Sequence, residues 1–326
     1  IMITLLKASR VLLGNGTPPI DHGVVIVEGE RIAAVGREGQ VAYPADRPTR
    51  TIALEGATLL PGLIDCHVHL LGFDFAEGAY GMGPEAVAAG TISAARTLEG
   101  LLRGGITAVR DCGYPHHGIF ALRQAIGRGE ILGPRVFACG QPICATGGHG
   151  DVMSIQVDGV DQVRRAVRRE SKAGADWIKL MVTGGTATPG ERPKDVQLTL
   201  EEIQAAVDEA HRRGRKVSAH TSCLEGARAD LEAGVDSIEH GIELDDETVE
   251  AMVKNGTYLV PSLRCTQIEG EAGPESGIPE FVRVKARAIY REQMRSFQRA
   301  VAAGVRIAAG TDAGPSYLPL ARESLV

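Results

Sequence analysis

The sequence lacks a long apolar run, a paired-cysteine pattern and an excess of positive charge. No stretch reaches the roughly 20 apolar residues that a membrane-spanning helix needs, and no secretory leader opens the chain, so we expect no membrane partner. The six cysteines include no Cys-X-X-Cys pair, and several lie in apolar runs, where a reduced cysteine is simply a small buried residue. This pattern favours a reducing, cytoplasmic compartment. The net charge of -6 argues against nucleic acid as the main partner.

The sequence also lacks a glycine-rich phosphate turn after its first buried strand, which a doubly wound sheet would carry. From about residue 58 it instead alternates strand-like runs with helical patterns of about 10 to 25 residues. Eight parallel strands with helical crossovers close naturally into a barrel. We therefore predict an α/β fold, a (β/α)8 TIM barrel over residues 58–326. The predicted strands are 59–70, 106–110, 135–138, 177–182, 216–220, 237–240, 258–261 and 306–309, and the predicted helices are 85–103, 117–129, 159–173, 199–213, 224–233, 245–254 and 279–303.

Residues 1–57 differ from the rest of the chain. Short β-like runs at 3–6, 11–12, 23–27, 31–35 and 51–54 are separated by glycine-containing turns. This segment is predicted to be all-β and too small to form a robust domain alone.

Polar residues lie where the predicted barrel strands end. His67 and His69 alternate along the first strand, so their side chains point the same way and make half of a divalent-metal site. Each residue also has an ordinary explanation: a strand-end histidine can bind a loop carbonyl, and an aspartate can cap a helix. A lysine inside an apolar strand is harder to explain, because burying an unpaired ammonium is costly. The set as a whole predicts a metal site: His67, His69, Lys179, His220, His240 and Asp312.

Three further residues are candidates for binding the substrate. His149 lies in the glycine-rich loop after the third strand and is predicted to hold a substrate carbonyl or carboxylate; the alternative is a loop residue without a role. Arg110 at the end of the second strand and Tyr258 in the seventh are weaker candidates.

This set of residues resembles the amidohydrolase superfamily, which carries His-X-His after strand one, Lys after strand four, His after strands five and six, and Asp after strand eight. Residues 60–65 are also typical of it. Residues 145–150 and 178–180 look like the branch of Xaa-Pro and Xaa-Arg or Xaa-Lys dipeptidases and carboxypeptidases, which also includes ochratoxin-type amidases. The resemblance implies that residues 1–57 are part of a small N-terminal β-sandwich. The returning strands that would complete this sandwich are absent before Val326, so we expect the chain to be incomplete.

The resemblance implies a binuclear centre. His67 and His69 would bind one divalent ion, expected to be zinc, and His220 and His240 a second. Carbon dioxide would convert Lys179 to a carbamate that bridges the two ions. A metal-bridging hydroxide would then attack the substrate, with Asp312 as metal ligand and proton carrier. The expected reaction is hydrolysis of a C–N bond, of a dipeptide or an N-acyl amino acid.

Three alternatives stay open. A mononuclear deaminase of the same superfamily would not need Lys179. A carbamate, urea or lactam hydrolase would share all six ligands and differ in its pocket loops. A non-catalytic scaffold would be expected to have lost ligands, and none is missing here. For each enzyme the partner is a small-molecule substrate, and we expect a homo-oligomer.

Overall fold

The computed structural model describes residues 2–43, 46–72 and 84–314. Contacts between Cα atoms divide the chain into two compact units, residues 1–62 and 63–326. The first unit contains a four-stranded sheet in the order β3-β2-β1-β4, with β1 and β4 parallel and the other neighbours antiparallel. Its strands are β1 (Ile3–Val11), β2 (Ile20–Glu28), β3 (Arg31–Arg37) and β4 (Thr49–Leu59).

Alternation along the strands of this sheet gives it two apolar faces. Ile3 and Leu5 are buried with Val24 and Ile26 in one cluster, whereas Val25 belongs to another cluster with Ala8 and Val11. The described residues of this unit form one sheet, and a sandwich requires two. The N-terminal β-sandwich therefore stays a prediction.

The second unit alternates strands and helices. Its strands are β5 (Leu63–Val68), β6 (Ile106–Asp111), β7 (Arg135–Ala138), β8 (Ile143–Ala145), β9 (Ile155–Val157), β10 (Trp177–Met181), β11 (Lys216–Thr221), β12 (Ser237–His240), β13 (Tyr258–Val260) and β14 (Arg306–Ile307). Its helices are α1 (Pro84–Arg103), α2 (Gly118–Gly127), α3 (Val160–Ala173), α4 (Leu200–His211), α5 (Leu224–Ala233), α6 (Asp246–Asn255), α7 (Leu263–Glu271) and α8 (Glu280–Ala303), with a 3-10 turn at Pro274–Ser276.

Eight of these strands follow one another around a closed, parallel arrangement. β5, β6 and β7 form one parallel run, and β10 to β14 are paired in chain order in a second. The amide of Asp176 donates to the carbonyl of Ala138 at 2.9 Å and joins the two runs. At the other end, the amide of Cys66 donates to Ala309 at 2.8 Å, and Val68 forms a parallel bridge with Ala313. This α/β arrangement fits a (β/α)8 barrel.

The seven helices predicted from the sequence agree with the structure within two residues at each end. Local signals explain this agreement. Thr199 and Glu202 form a reciprocal capping box at the start of α4, and Asp245 caps α6 by accepting from the amide of Thr248. The structure adds α7 and the short strands β8 and β9, which the sequence analysis did not predict.

The main apolar core lies between the barrel strands and the surrounding helices. Ile178 and Leu180 of β10 are buried with Ile203 of α4 and Val217 of β11. None of the helices in the described residues is both long and apolar enough to cross a membrane. Every strand of the barrel points its carboxyl end to the same side, and the six predicted metal ligands and His149 lie on that side.

Candidate metal centre

One cavity at the carboxyl ends of the barrel strands gathers all six predicted metal ligands and His149. The residues come from widely separated parts of the chain, and they meet because parallel strands end at one rim. They are His67, His69, His149, Lys179, His220, His240 and Asp312.

His67 and His69 present the same ring nitrogen to Asp312. Nε2 of His67 lies 3.3 Å from Oδ1 of Asp312, and Nε2 of His69 lies 3.4 Å from the same oxygen. Nδ1 of His69 is 2.9 Å from the carbonyl oxygen of Gly113, and Nδ1 of His67 is 2.7 Å from a carboxylate oxygen of Glu239. Both Nδ1 atoms therefore donate, which leaves a lone pair on each Nε2 for a metal.

Glu239 is the fully buried group that orients His67. Its second carboxylate oxygen accepts from Arg110 at 2.5 Å, from Ser218 at 2.5 Å and from Ser237 at 2.8 Å. Burial alone would raise the pKa of Glu239, but the charge of Arg110 and the bond from His67 hold it well below its ordinary value. Glu239 is thus an ionised carboxylate whose charge is compensated by Arg110.

His220 and His240 form the other half of the donor set. Their ring centroids lie 4.5 Å apart, and the ring of His240 lies 5.0 Å from that of His67. Burial lowers the pKa of His220 well below its ordinary value and that of His240 to about 3. Both rings are therefore neutral, which is the form that binds a metal ion.

Lys179 is buried in the middle of β10, where all five residues are inaccessible. Its side chain is 1% exposed, and its Nζ has no hydrogen-bond partner in the described part of the chain. Because an unpaired ammonium at such a position is costly, this atom needs either a ligand or a covalent modification. An orphaned amine facing the histidines is what a carbamate bridge would require.

Two of the candidate ligands have a left-handed backbone. His240 has φ 68° and Asp312 has φ 57°, a region that residues other than glycine rarely adopt. The amide of Asp312 donates to the carbonyl of His67 at 2.7 Å, which fixes the turn after β14. Such strain persists only where the surrounding structure holds it, and it is commonest at functional sites.

The donor set fits a divalent metal ion. Ligand atoms of His67, His240 and Asp312 lie within 4.8 Å of one another. Imidazole nitrogens with a carboxylate oxygen are a combination that suits zinc and neighbouring transition metals. His69, His220 and Lys179 line the same cavity, so the residues present also offer donors for a second ion.

His149 stands beside this donor set and is held from two sides. Its ring stacks on His220 at 4.2 Å between centroids, and its Nδ1 bonds the carboxylate of Glu191. A Cβ atom at position 185 would lie 2.3 Å from the ring, so Gly185 is the residue that allows this approach. His149 therefore lies in a fixed position at the wall of this cavity. The sequence predicted that this residue binds the substrate.

The remaining wall of the cavity is largely apolar, with one further acid. Met153, Met181, Ile242 and Ile289 line it, together with Glu269 of α7. Three acids at the site were not predicted from the sequence: Glu191, Glu239 and Glu269. Glu239 could have been noticed because it directly precedes His240 in a buried strand, whereas Glu191 and Glu269 reach the site through a loop and an unpredicted helix.

Arg110 and Tyr258 are not brought to this cavity. Both line a second cavity, which also contains Trp177, Lys216 and Ser237. Tyr258, Trp177, Lys216 and Ser237 are each the first residue of a strand, so this second cavity lies at the opposite end of the barrel. Arg110 reaches it because its guanidinium turns inward to Glu239 and stacks on Trp177 at 4.6 Å.

Comparison with known proteins gives one family and several similar structures. The profile described as "Amidohydrolase family" matches residues 58–323. Ochratoxinase from Aspergillus niger is 31% identical over 342 residues, covering 96% of this chain and 69% of ochratoxinase. A crystal structure of a Xaa-Pro dipeptidase with methionine in its active site has a TM-score of 0.86 at 32% identity, covering 95% of this chain and 79% of that one. A prolidase complexed with N-methylphosphonate-L-proline has a TM-score of 0.87 at 32% identity, covering 95% and 78%.

Proposed function

The chain belongs to the amidohydrolase family, and we propose that it binds two divalent metal ions and hydrolyses the amide bond of a dipeptide or an N-acyl amino acid. Membership of the family, with ochratoxinase and prolidase relatives, makes it a hydrolase that acts on C–N bonds. The observation that carries the finer proposal is the convergence of four histidines, Asp312 and an unpartnered buried lysine on one cavity.

Two of the similar proteins support a dipeptide substrate. One is a Xaa-Pro dipeptidase with bound methionine, and the other is a prolidase with an N-substituted proline. A largely apolar cavity wall beside the donor set suits the side chain of an amino acid.

Each donor has a place in the proposed centre. His67 and His69 would hold one ion together with Asp312, and His220 and His240 would hold the other. Lys179 would bridge them after its neutral amine adds to carbon dioxide, with a new N–C bond and release of one proton. The resulting carbamate would offer two oxygen ligands to the ions, which are expected to be zinc.

The ions, when bound, would polarise the scissile carbonyl and acidify water. Asp312 would accept the proton of the attacking water and deliver it to the leaving nitrogen. Burial would raise the pKa of Asp312, but the neighbouring His67 and His69 hold it far below its ordinary value, so the carboxylate is ionised and can act as a base. His149 would hold the substrate carbonyl or carboxylate from the side.

The proposal is tested by metal content together with a Lys179 variant. Metal analysis of the zinc-loaded protein is expected to give close to two ions per chain. Lys179→Ala should lose one of them and nearly all hydrolysis of a dipeptide panel, and short carboxylic acids such as propionate should restore part of both. Lys172→Ala, an exposed lysine on α3, is the matched control.

Three results would contradict the proposal. They are a metal content near zero after loading, a Lys179→Ala protein with two ions and undiminished turnover, and a panel of dipeptides and N-acyl amino acids that the loaded enzyme leaves intact. A stable content of one ion, with activity kept in Lys179→Ala, would favour the mononuclear deaminase instead. The close grouping of His67, His240 and Asp312 is the observation in favour of that alternative.

A further inference from the structure

Glu269 is a buried carboxylate in the wall of the cavity that the proposed centre does not use. It lies on α7, is 6% exposed and lines the cavity with the six candidate ligands. Its carboxylate accepts from the hydroxyl of Thr186 at 3.2 Å, and the thiol of Cys265 is its other partner. Both partners are neutral.

No ion pair among the described residues involves Glu269. Burial, and after it the charge of Asp312, raises the pKa of Glu269 to about 8. In the described part of the chain, Lys179 is the only lysine or arginine that lines the cavity, and it faces the histidines from within β10. With neutral partners a buried acid of this kind takes up a proton, and a cation that reaches it favours the ionised form.

Glu269 is close to the place where the substrate would react. The thiol of Cys265 interacts with the carboxylates of both Asp312 and Glu269, so the two acids are separated by one side chain. In a dipeptide, the ammonium nitrogen is two bonds from the scissile carbonyl carbon. A carbonyl held next to Asp312 would therefore place this ammonium near Glu269, whereas an N-acyl group offers no cation at that position.

We infer that Glu269 binds the α-ammonium group of the substrate, which makes dipeptides with a free amino terminus, rather than N-acyl amino acids, the preferred substrates. This inference rests on the proposed amide hydrolysis. The arriving ammonium would favour the ionised form of Glu269 and would donate a charge-assisted hydrogen bond to it.

The test compares two probes that differ only in the ammonium group. Leucyl-proline carries it, and 4-methylpentanoyl-proline is the same molecule without it. The zinc-loaded wild type should hydrolyse leucyl-proline with a kcat/KM about 10- to 100-fold higher, and Glu269→Gln should lose most of this preference by weakening the first substrate alone. Gln keeps the size and the hydrogen bonds of a neutral Glu, so the comparison isolates charge.

Binding without turnover gives an independent measurement. Calorimetry should show that leucine binds the wild type more tightly than 4-methylpentanoate does, and that Glu269→Gln removes the difference. Glu271→Gln is the matched control, because Glu271 is exposed on the same helix and bonds only Gln267 among the hydrogen bonds of the described residues. Metal content and melting temperature of each variant establish that the centre and the fold are intact.

The outcomes separate this inference from the proposed function. A wild type that cleaves both probes equally well, or a Glu269→Gln protein that keeps the full preference, would overturn the inference and leave amide hydrolysis standing. Glu269 could instead raise kcat/KM for 6-aminohexanoyl-proline and not for leucyl-proline. That result would show that Glu269 binds a side-chain ammonium, and it would overturn the α-ammonium assignment. Failure to cleave any amide in the panel would reject the proposed function itself, and the calorimetric comparison would still decide the role of Glu269.

Discussion

His67 is oriented by a chain of buried charges rather than by the metal site alone. Its Nδ1 donates to Glu239, and Glu239 accepts from Arg110 on its other oxygen. This arrangement fixes the tautomer of His67 and directs Nε2 to the cavity. Partners of this kind, one step removed from the ion, raise the basicity of the ligand and are worth as much as a factor of 100 in metal affinity.

We therefore expect Glu239→Gln to bind zinc about 10- to 100-fold more weakly than the wild type. Gln keeps the shape of the side chain but removes the charge that favours a donating Nδ1 on His67, and it leaves Arg110 buried without its counter-ion. Competition with a chelator of known affinity measures the effect. Glu247→Gln, an exposed acid on α6, is the control. An affinity equal to that of the wild type would show that His67 needs no such partner.

The sequence could predict the candidate ligands but not the residues that support them. Alternation along β5 and the position of strand ends placed His67, His69, Lys179, His220 and His240 correctly around one cavity, because these rules depend only on local geometry. Arg110 also stands near a strand end, yet its long side chain turns to the opposite end of the barrel. Its direction is set by Glu239, which lies 129 residues further along the chain.

At the scale of elements, the buried carboxylate of Glu209 joins α3 to α4 by binding arginine side chains. Glu209 of α4 accepts from Nε and Nη2 of Arg168 of α3, both at 2.9 Å, and from Arg213 at 2.8 Å. These bonds, with the one from Arg168 as the largest cause, lower the pKa of Glu209 to about 2. The ionised form of Glu209 is thus the one that stabilises the contact between the two helices.

The sign of the pH dependence follows from this lowered pKa. The stabilising contribution of Glu209 is complete above its unfolded pKa of about 4.3, and it disappears as the pH falls towards about 2. At pH 7 we expect Glu209→Gln to lower Tm by roughly 2–6 °C. The difference from the wild type should shrink between about pH 4.3 and pH 2, as followed by thermal melts at several pH values.

Asp208→Asn, an exposed substitution on the same helix, is the control for this experiment. A Tm difference between wild type and Glu209→Gln that stays constant down to pH 2 would show that the ionised carboxylate is not what joins α3 to α4.

Helix α7 shows what limited the prediction of elements. Most helices carry a side-chain cap, a terminal glycine or a clear apolar face, and their bounds could be predicted from those local signals. Ser262, which precedes α7, has φ 47° and makes no capping bond, so this helix lacks the side-chain cap that marks the starts of α4 and α6. The position of Glu269 depends on α7 and on its packing against α8, which is tertiary information.

At the scale of the whole molecule, the candidate ligands join distant parts of the barrel. His67 belongs to the first barrel strand, Lys179 and His220 belong to the fourth and fifth, and Asp312 follows the last. An ion bound by such residues links strands that lie far apart in the chain, and it has no comparable site in the unfolded state. Bound metal should therefore stabilise the barrel against unfolding, beyond its part in catalysis.

We expect removal of the metal by a chelator to lower the Tm of the barrel by about 5–10 °C. A free ion at 100 times its Kd contributes about 2.7 kcal/mol, and each kcal/mol corresponds to about 2–4 °C in a unit of this size. Scanning calorimetry before and after chelation, with metal content measured on the same samples, gives the shift. His220→Ala should respond less to the chelator, because it has already lost a ligand. If Tm stays the same while the metal content falls from two ions to none, the ions do not hold the strands together, and the buried histidines and Lys179 must be accommodated by the barrel without them.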